Sequence, residues 1–257
     1  MDNKETKMIS LTIDGIAVSV KEGSTVLEAA RSAGIKIPTL CYLKGLNEIG
    51  SCRVCVVEIK NARSLAASCV TPATEGMEVK TKTKKVLDSR KTTVELLLSD
   101  HDKNCLSCVR NLNCELQTLS NELNCDTKKN LGAANEYAKD LSSPSIIRDN
   151  NKCILCRRCV AACKKQQSVS VIGANARGFD THIGCAFEKD ITSSPCVNCG
   201  QCINVCPTGA LHEADEIDEV SAAINDPNKY VVMAPAPSVR VALGEEFGYP
   251  IGTNVEG

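Results

Sequence analysis

Hydrophobic positions alternate cleanly near the start of the chain. Ile9, Leu11 and Ile13 share one face, Asp14-Gly15 interrupts the run, and Ile16, Val18 and Val20 share a face again. Alternation on both sides of an Asp-Gly pair predicts a β-hairpin closed by a two-residue turn. Thr25-x-x-Glu28 then offers a capping box, and Gly34 stands where the helix it starts would stop. Pro38 breaks regular structure ahead of Cys41, and Cys52 and Cys55 lead into a strand-like VCVVEI run over 54–59. Residues 8–80 therefore predict a small sheet packed on one helix. Helical spacing returns over 84–100, with Val86, Arg90, Val94, Leu97 and Leu98 near one face. It returns again over 114–124, with Leu116, Leu119 and Leu123. Residues 126–150 are polar, include Ser142-Ser143-Pro144, and predict a connector. Beyond Pro227 the chain turns apolar, and residues 231–252 read as strand, turn and helix, with Val239, Val241 and Leu243 in a core.

Composition changes this picture in one respect. The 257 residues suffice for two or three small domains, and a 43% hydrophobic content is ordinary. Four Tyr, three Phe and no Trp leave few large side chains to anchor a core, whereas there are 17 Cys. An exported chain would use so many cysteines for disulfides, but the opening MDNKET carries two acids and no apolar run follows it. No segment approaches the ~18 apolar residues of a membrane span. The expectation is a cytoplasmic protein whose cysteines bind metal and whose metal centres brace thin cores. Basic runs interleaved with aromatics are missing, so nucleic acid is not an expected partner.

The cysteines fall into spaced groups. Cys41, Cys52, Cys55 and Cys69 give C-x10-C-x2-C-x13-C, a loop plus one distant closing thiol, with Gly45, Gly50 and Ser51 small enough for a close approach of backbone to sulfide. A four-cysteine zinc site is the alternative, although zinc ribbons usually supply two C-x2-C pairs. His101-x3-Cys105-x2-Cys108-x5-Cys114 is the second group, and it too has a zinc alternative. Cys153-x2-Cys156-x2-Cys159-x3-Cys163 then repeats as Cys196-x2-Cys199-x2-Cys202-x3-Cys206-Pro207. This is the run of two-cluster bacterial ferredoxins, in which the fourth Cys of each run ligates the other cluster. One 4Fe–4S cluster would take Cys153, Cys156, Cys159 and Cys206, and the other Cys196, Cys199, Cys202 and Cys163. Lys164 replaces the proline that usually follows the fourth Cys. Cys125 and Cys185 remain outside these groups and read as buried or free thiols.

Residues 8–80 resemble the plant-type 2Fe–2S ferredoxin fold in the variant that opens the large electron-transfer subunit of complex I, iron-only hydrogenases and some formate dehydrogenases. That resemblance implies a β-grasp with Cys41, Cys52, Cys55 and Cys69 as ligands. Residues 81–125 look like the His/Cys3 4Fe–4S domain of the same families. VVMAPAPSVRVALGEEFGYPIG (231–252) looks like the opening of the iron-only hydrogenase catalytic domain, and no Cys follows Cys206. The whole chain resembles the N-terminal portion of a multicluster iron-only hydrogenase, in particular the catalytic subunit of NAD-linked, electron-bifurcating complexes. The fold class implied is α+β: a 2Fe–2S β-grasp domain over 1–80, a small helical His/Cys3 domain over 81–140, a two-cluster ferredoxin-like domain over 141–222 and the start of a catalytic domain over 223–257.

The resemblance implies one 2Fe–2S and three 4Fe–4S clusters here, with the hydrogen-activating H-cluster expected only in downstream sequence, so that this chain is a fragment. The function implied is an electron relay feeding or draining that H-cluster. Its partners would be flavin/NAD-binding and ferredoxin-like 2Fe–2S subunits, with soluble ferredoxin as a further donor or acceptor, in a hetero-oligomer. No G-x-G-x-x-G after a strand is present for nicotinamide or flavin. With −2 for each all-thiolate centre and −1 for the His site, loading moves the formal net charge from −1 to about −8, so a partner should offer a basic patch. A self-contained electron carrier, a module of a formate dehydrogenase or complex I-like enzyme, and a zinc-braced interaction protein are the competing readings.

Overall fold

The Asp14-Gly15 turn joins β1 (Met8–Ile13) to β2 (Ile16–Lys21), with Ile13 opposite Ile16. Both turn residues have positive φ, 49° and 86°, which matches the twist of the strands they connect. The capping box forms at α1 (Val26–Ser32): the Glu28 N–H donates to Thr25 Oγ1 at 3.2 Å, and the Thr25 N–H donates to the Glu28 carboxylate at 3.0 Å. The chain leaves the helix through Gly34 at φ 71°, a left-handed stop that glycine reaches without strain. This computed structural model describes residues 7–253 and Val255, and the chain forms two compact units, one running to Ala214 and the other starting at Asp215.

In the first unit, β3 (Val56–Ile59), β4 (Ala66–Ala67) and β5 (Glu78–Lys80) complete a five-stranded sheet in the order β2-β1-β5-β3-β4. Only β1 and β5 run parallel. The inward residues of the hairpin pack on Val26, Leu27, Ala29 and Ala30 of α1, the arrangement of a β-grasp. Small side chains on α1 bring the helix close to the sheet, which offsets the shortage of aromatics.

Next comes α2 (Lys84–Ser99), where the Val86 N–H donates to Thr83 Oγ1. Its inner face holds Val86, Arg90, Val94 and Leu98 as the spacing predicts, and Glu95 as well, which the spacing does not. Glu95 is fully buried because Lys129 pairs with it at 2.9 Å and the Asp126 N–H donates to it. Leu116 and Leu119 form the buried face of α3 (Glu115–Glu122). The segment expected as connector is not all loop. Ile146–Arg148 form β6, which pairs antiparallel with β9 (Leu211–Glu213). Between them lie α4 (Arg158–Lys165), the hairpin of β7 (Ile172–Asn175) and β8 (His182–Cys185), and the short α5 (Gln201–Asn204).

The second unit contains α6 (Ile217–Asn225) and α7 (Pro237–Glu246). The strand expected ahead of α7 is not formed, because Pro235 and Pro237 remove two backbone donors and the second opens the helix instead. Val239, Val241 and Leu243, expected in a core, are 50%, 62% and 39% exposed. Among the described residues, no helix is long and apolar enough to cross a membrane.

Candidate iron–sulfur centres

Cys41, Cys52, Cys55 and Cys69 are all buried beside the β-grasp. Left-handed turns at Gly50 and Arg53 curl the loop so that the Cys52 N–H points at the Cys41 sulfur, 3.5 Å away. A side chain at Gly50 would press on Val70 at 3.1 Å, so the turn demands glycine for space as well as for its φ. From the other side Cys69 brings its Sγ within 3.3 Å of Cys55, and the Ser68 hydroxyl fixes the Cys55 carbonyl at 2.7 Å. The four thiols act in two pairs: the Cys52 thiol draws Cys41 down while Cys52 is pushed up, and the Cys69 thiol draws Cys55 down while Cys69 is pushed up. A thiol held low by its neighbour gives up its proton to metal the more readily.

His101 follows the C-terminus of α2. Burial pushes its pKa down to about 4, so the imidazole is neutral at physiological pH. Its Nδ1 is buried with no hydrogen-bond partner, which is what a ligand nitrogen looks like without its metal. Cys105 opens a 3-10 turn that the Cys108 N–H closes, and a left-handed Leu112 swings the chain to Cys114 at the start of α3. Cys105 and Cys108 lie close enough to Cys114 to act on it electrostatically, although burial is the larger cause of its raised pKa. No hydrogen bond joins His101 to these thiols among the described residues.

The paired runs fold as structural copies. Leu155 and Arg157 have φ of 53° and 60°, and the equivalent Asn198 and Gly200 have 51° and 70°. Left-handed residues alternating with others turn successive N–H groups inward, a cradle for an anionic centre. The Leu155 N–H points at the Cys153 sulfur at 3.4 Å. Cys206 acts electrostatically on Cys153, Cys156 and Cys159, whereas Cys163 lines one apolar cavity with Cys196, Cys199 and Cys202. Burial pushes Cys153 up to about 11, Cys156 to about 12 and Cys159 well above its usual value.

The Cys153 group touches both outer sites. Leu40, Cys41, Cys52 and Val54 share one apolar cluster with Val94 and Leu98 of α2, Leu116 and Leu119 of α3, and Ile154 and Cys156. Asn47 donates from one amide nitrogen to the Cys41 carbonyl at 2.8 Å and the Cys156 carbonyl at 3.0 Å, locking the first loop to the third. On the other side, the Glu115 N–H donates to the Pro207 carbonyl, and Glu115 pairs with Arg158 through two contacts of 2.6 and 2.8 Å. A methyl on Gly209 would lie 2.8 Å from the Cys108 sulfur, so the second and third groups approach as closely as glycine allows.

Asn47, Arg158 and Gly209 carry no signal in the spacing of cysteines. Gly200 stands in the second run where Arg157 stands in the first, and the repeat alone aligns the two. Cys125 is half-buried near the Lys91 carbonyl, and Cys185 is buried in β8. Among the described residues, no three His, Cys, Asp or Glu side chains converge on a single-ion site. Soft thiolates with one imidazole suit iron–sulfur centres.

Family models match three consecutive segments: a 2Fe–2S iron–sulfur cluster binding domain over 6–84, an NADH-ubiquinone oxidoreductase-G iron–sulfur binding region over 90–129, and the ferredoxin-like domain of NADH-quinone oxidoreductase subunit 3 over 143–212. The chain is 49% identical over 256 residues to the NADP-reducing hydrogenase subunit HndD of Solidesulfovibrio fructosivorans. It is 35% identical over 253 residues to iron hydrogenase 1 of Clostridium pasteurianum. Each match covers 97% of this chain and 44% of the relative, so the chain spans less than half the length of these curated relatives. A subunit in the crystal structure of an NAD+-reducing nickel–iron hydrogenase in the H2-reduced state superimposes with a TM-score of 0.75 at 30% identity, over 80% of this chain and 87% of that one. The chain belongs to the iron-only hydrogenase family of oxidoreductases, and it corresponds to the N-terminal iron–sulfur portion of those enzymes.

Proposed function

We propose that this chain is the electron-transfer portion of a multicluster iron-only hydrogenase. Cys41, Cys52, Cys55 and Cys69 hold a 2Fe–2S cluster; His101, Cys105, Cys108 and Cys114 hold a 4Fe–4S cluster. Two further 4Fe–4S clusters are held by Cys153, Cys156, Cys159 and Cys206, and by Cys163, Cys196, Cys199 and Cys202. When bound, these clusters supply one-electron donor and acceptor centres. The polypeptide spaces them, buries them and aims N–H groups at their sulfurs, which sets each potential. Asn47 and the Glu115–Arg158 pair keep both outer sites against the Cys153 group. Electrons entering at either outer site therefore meet at one centre before reaching the Cys163 group.

The observation that carries this reading is the apolar cavity lined by Cys163, Cys196, Cys199 and Cys202. Three of these thiols come from one run and the fourth from the other, which independent zinc sites would not require. In the complete protein the relay serves H2 oxidation or proton reduction at an H-cluster outside these residues. Exchange with NAD(H) and ferredoxin passes through flavin/NAD-binding and 2Fe–2S partner subunits of a hetero-oligomer. The partial likeness to complex I subunits favours one second reading, a module of a complex I-like enzyme or formate dehydrogenase.

Iron and sulfide analysis with EPR on anaerobically purified protein tests the ligand sets. The expected outcome is one 2Fe–2S and three 4Fe–4S signals, with Cys163→Ala removing only the cluster of the second run. Stoichiometric zinc in a colourless protein would refute the relay, and loss of the first-run cluster in Cys163→Ala would refute the crossover.

A further inference from the structure

Helix α2 carries a buried cation that neither the fold nor the relay explains. Arg90 lies on the apolar face of the helix and is 3% exposed. The other buried charged residues have opposite charges within reach: Glu95 has Lys129, Asp149 has Lys139 and Lys152, and Arg158 has Glu115. Arg90 has no ion pair among the described residues. One guanidinium nitrogen donates to the Val56 carbonyl at 2.7 Å, and its Nε is buried with no partner at all.

The guanidinium stays charged at any pH a protein meets, so it cannot escape burial by losing its proton. An isolated buried charge is strongly unfavourable unless an opposite charge offsets it. Burial weakens the hold of Arg90 on its proton, and Cys55 and Asp14 oppose that pull, Cys55 the more strongly. Asp14 is already engaged, with both carboxylate oxygens accepting from Thr81. The acceptor Val56 is the residue after Cys55, so the guanidinium sits directly behind the first cysteine group.

We infer that Arg90 is the counter-charge of the centre held by Cys41, Cys52, Cys55 and Cys69, and that it raises the reduction potential of that centre. Arg90 is a positioning residue and does not ligate. Reduction adds one negative charge to an already anionic centre, and a fixed cation behind it favours that form. The inference deepens the reading of these four cysteines as 2Fe–2S ligands and rests on it. It also explains why an arginine stands among aliphatic residues on the packed face of α2.

The test is an EPR-monitored redox titration of the anaerobically purified, cluster-loaded protein and two variants. Arg90→Met keeps the length and packing of the side chain and removes its charge. It is expected to lower the equilibrium constant for reducing the 2Fe–2S centre at least tenfold, a fall of about 59 mV for one electron. The three 4Fe–4S potentials should stay in place. Arg90→Lys keeps the charge and should restore most of the difference. A loaded Arg90→Met protein with an unchanged 2Fe–2S potential would overturn the inference. If Arg90→Met fails to fold, Arg90→Lys decides alone: a tenfold shift with the charge retained would assign the arginine to packing. Absence of any 2Fe–2S signal from the unaltered protein would sink the ligand reading itself, a separate result.

Discussion

His101 is the residue at which the proposed ligand sets depart from all-cysteine ligation. Its imidazole is neutral, and its Nδ1 is buried without a partner. A neutral ligand in place of a thiolate leaves the centre one negative charge lighter, the same reason that His-ligated Rieske centres have high potentials. His101→Cys restores that charge and should lower the potential of its own 4Fe–4S centre while the other three stay put. A redox titration in which the variant potential is equal or higher would refute both the ligand role and the electrostatic account. The identity of this residue was legible in the sequence, because one of only three histidines falls at ligand spacing from three cysteines. Its neighbour in space, Gly209, was not. The need for glycine there comes from a sulfur on a different segment, and nothing local to Gly209 encodes it.

At the scale of elements, the local signals held and the non-local ones were silent. The Asp14-Gly15 hairpin, the Thr25–Glu28 capping box and the faces of α2 and α3 all arise within a few residues, so periodicity and cap chemistry reach them. The β6–β9 pairing does not, since each strand is three residues long and each finds its partner across the whole paired-cluster region. The junction between α3 and α4 is equally non-local. Arg158 is 5% exposed at its side chain and Glu115 45%, so Glu115 is the accessible half of a largely buried pair. Glu115→Ala leaves the guanidinium buried without its carboxylate, a change expected to cost about 2 kcal/mol, less than a fully buried pair because water reaches the carboxylate side. The measurement is the thermal midpoint of the loaded protein. Glu115→Gln should recover part of the loss by keeping one hydrogen bond to Arg158. If both variants melt with the unaltered protein, the pair does not hold the two helices together.

For the molecule as a whole, the cysteine spacings imply four sites along the chain, whereas the fold makes one of them a junction. Cys156 shares an apolar cluster with Cys41 and Cys52, while Pro207 and Arg158 meet Glu115 at the start of α3. With few aromatics, these cores depend on the metal centres for much of their cohesion, and metal binding is then folding energy. Damage should therefore spread unequally. Cys156→Ala, which removes a proposed ligand at the junction, is expected to lower iron occupancy at the 2Fe–2S and His101 sites too. Cys199 is exposed at the periphery, and Cys199→Ala should cost only its own cluster. Iron content and EPR spin counts of the two variants, purified side by side without oxygen, separate these outcomes. Equal and confined losses would mean that the four sites fold independently and that their convergence on Cys156 has no energetic weight. An unequal loss would mean that the proposed junction of the relay is also the point that holds the first compact unit together.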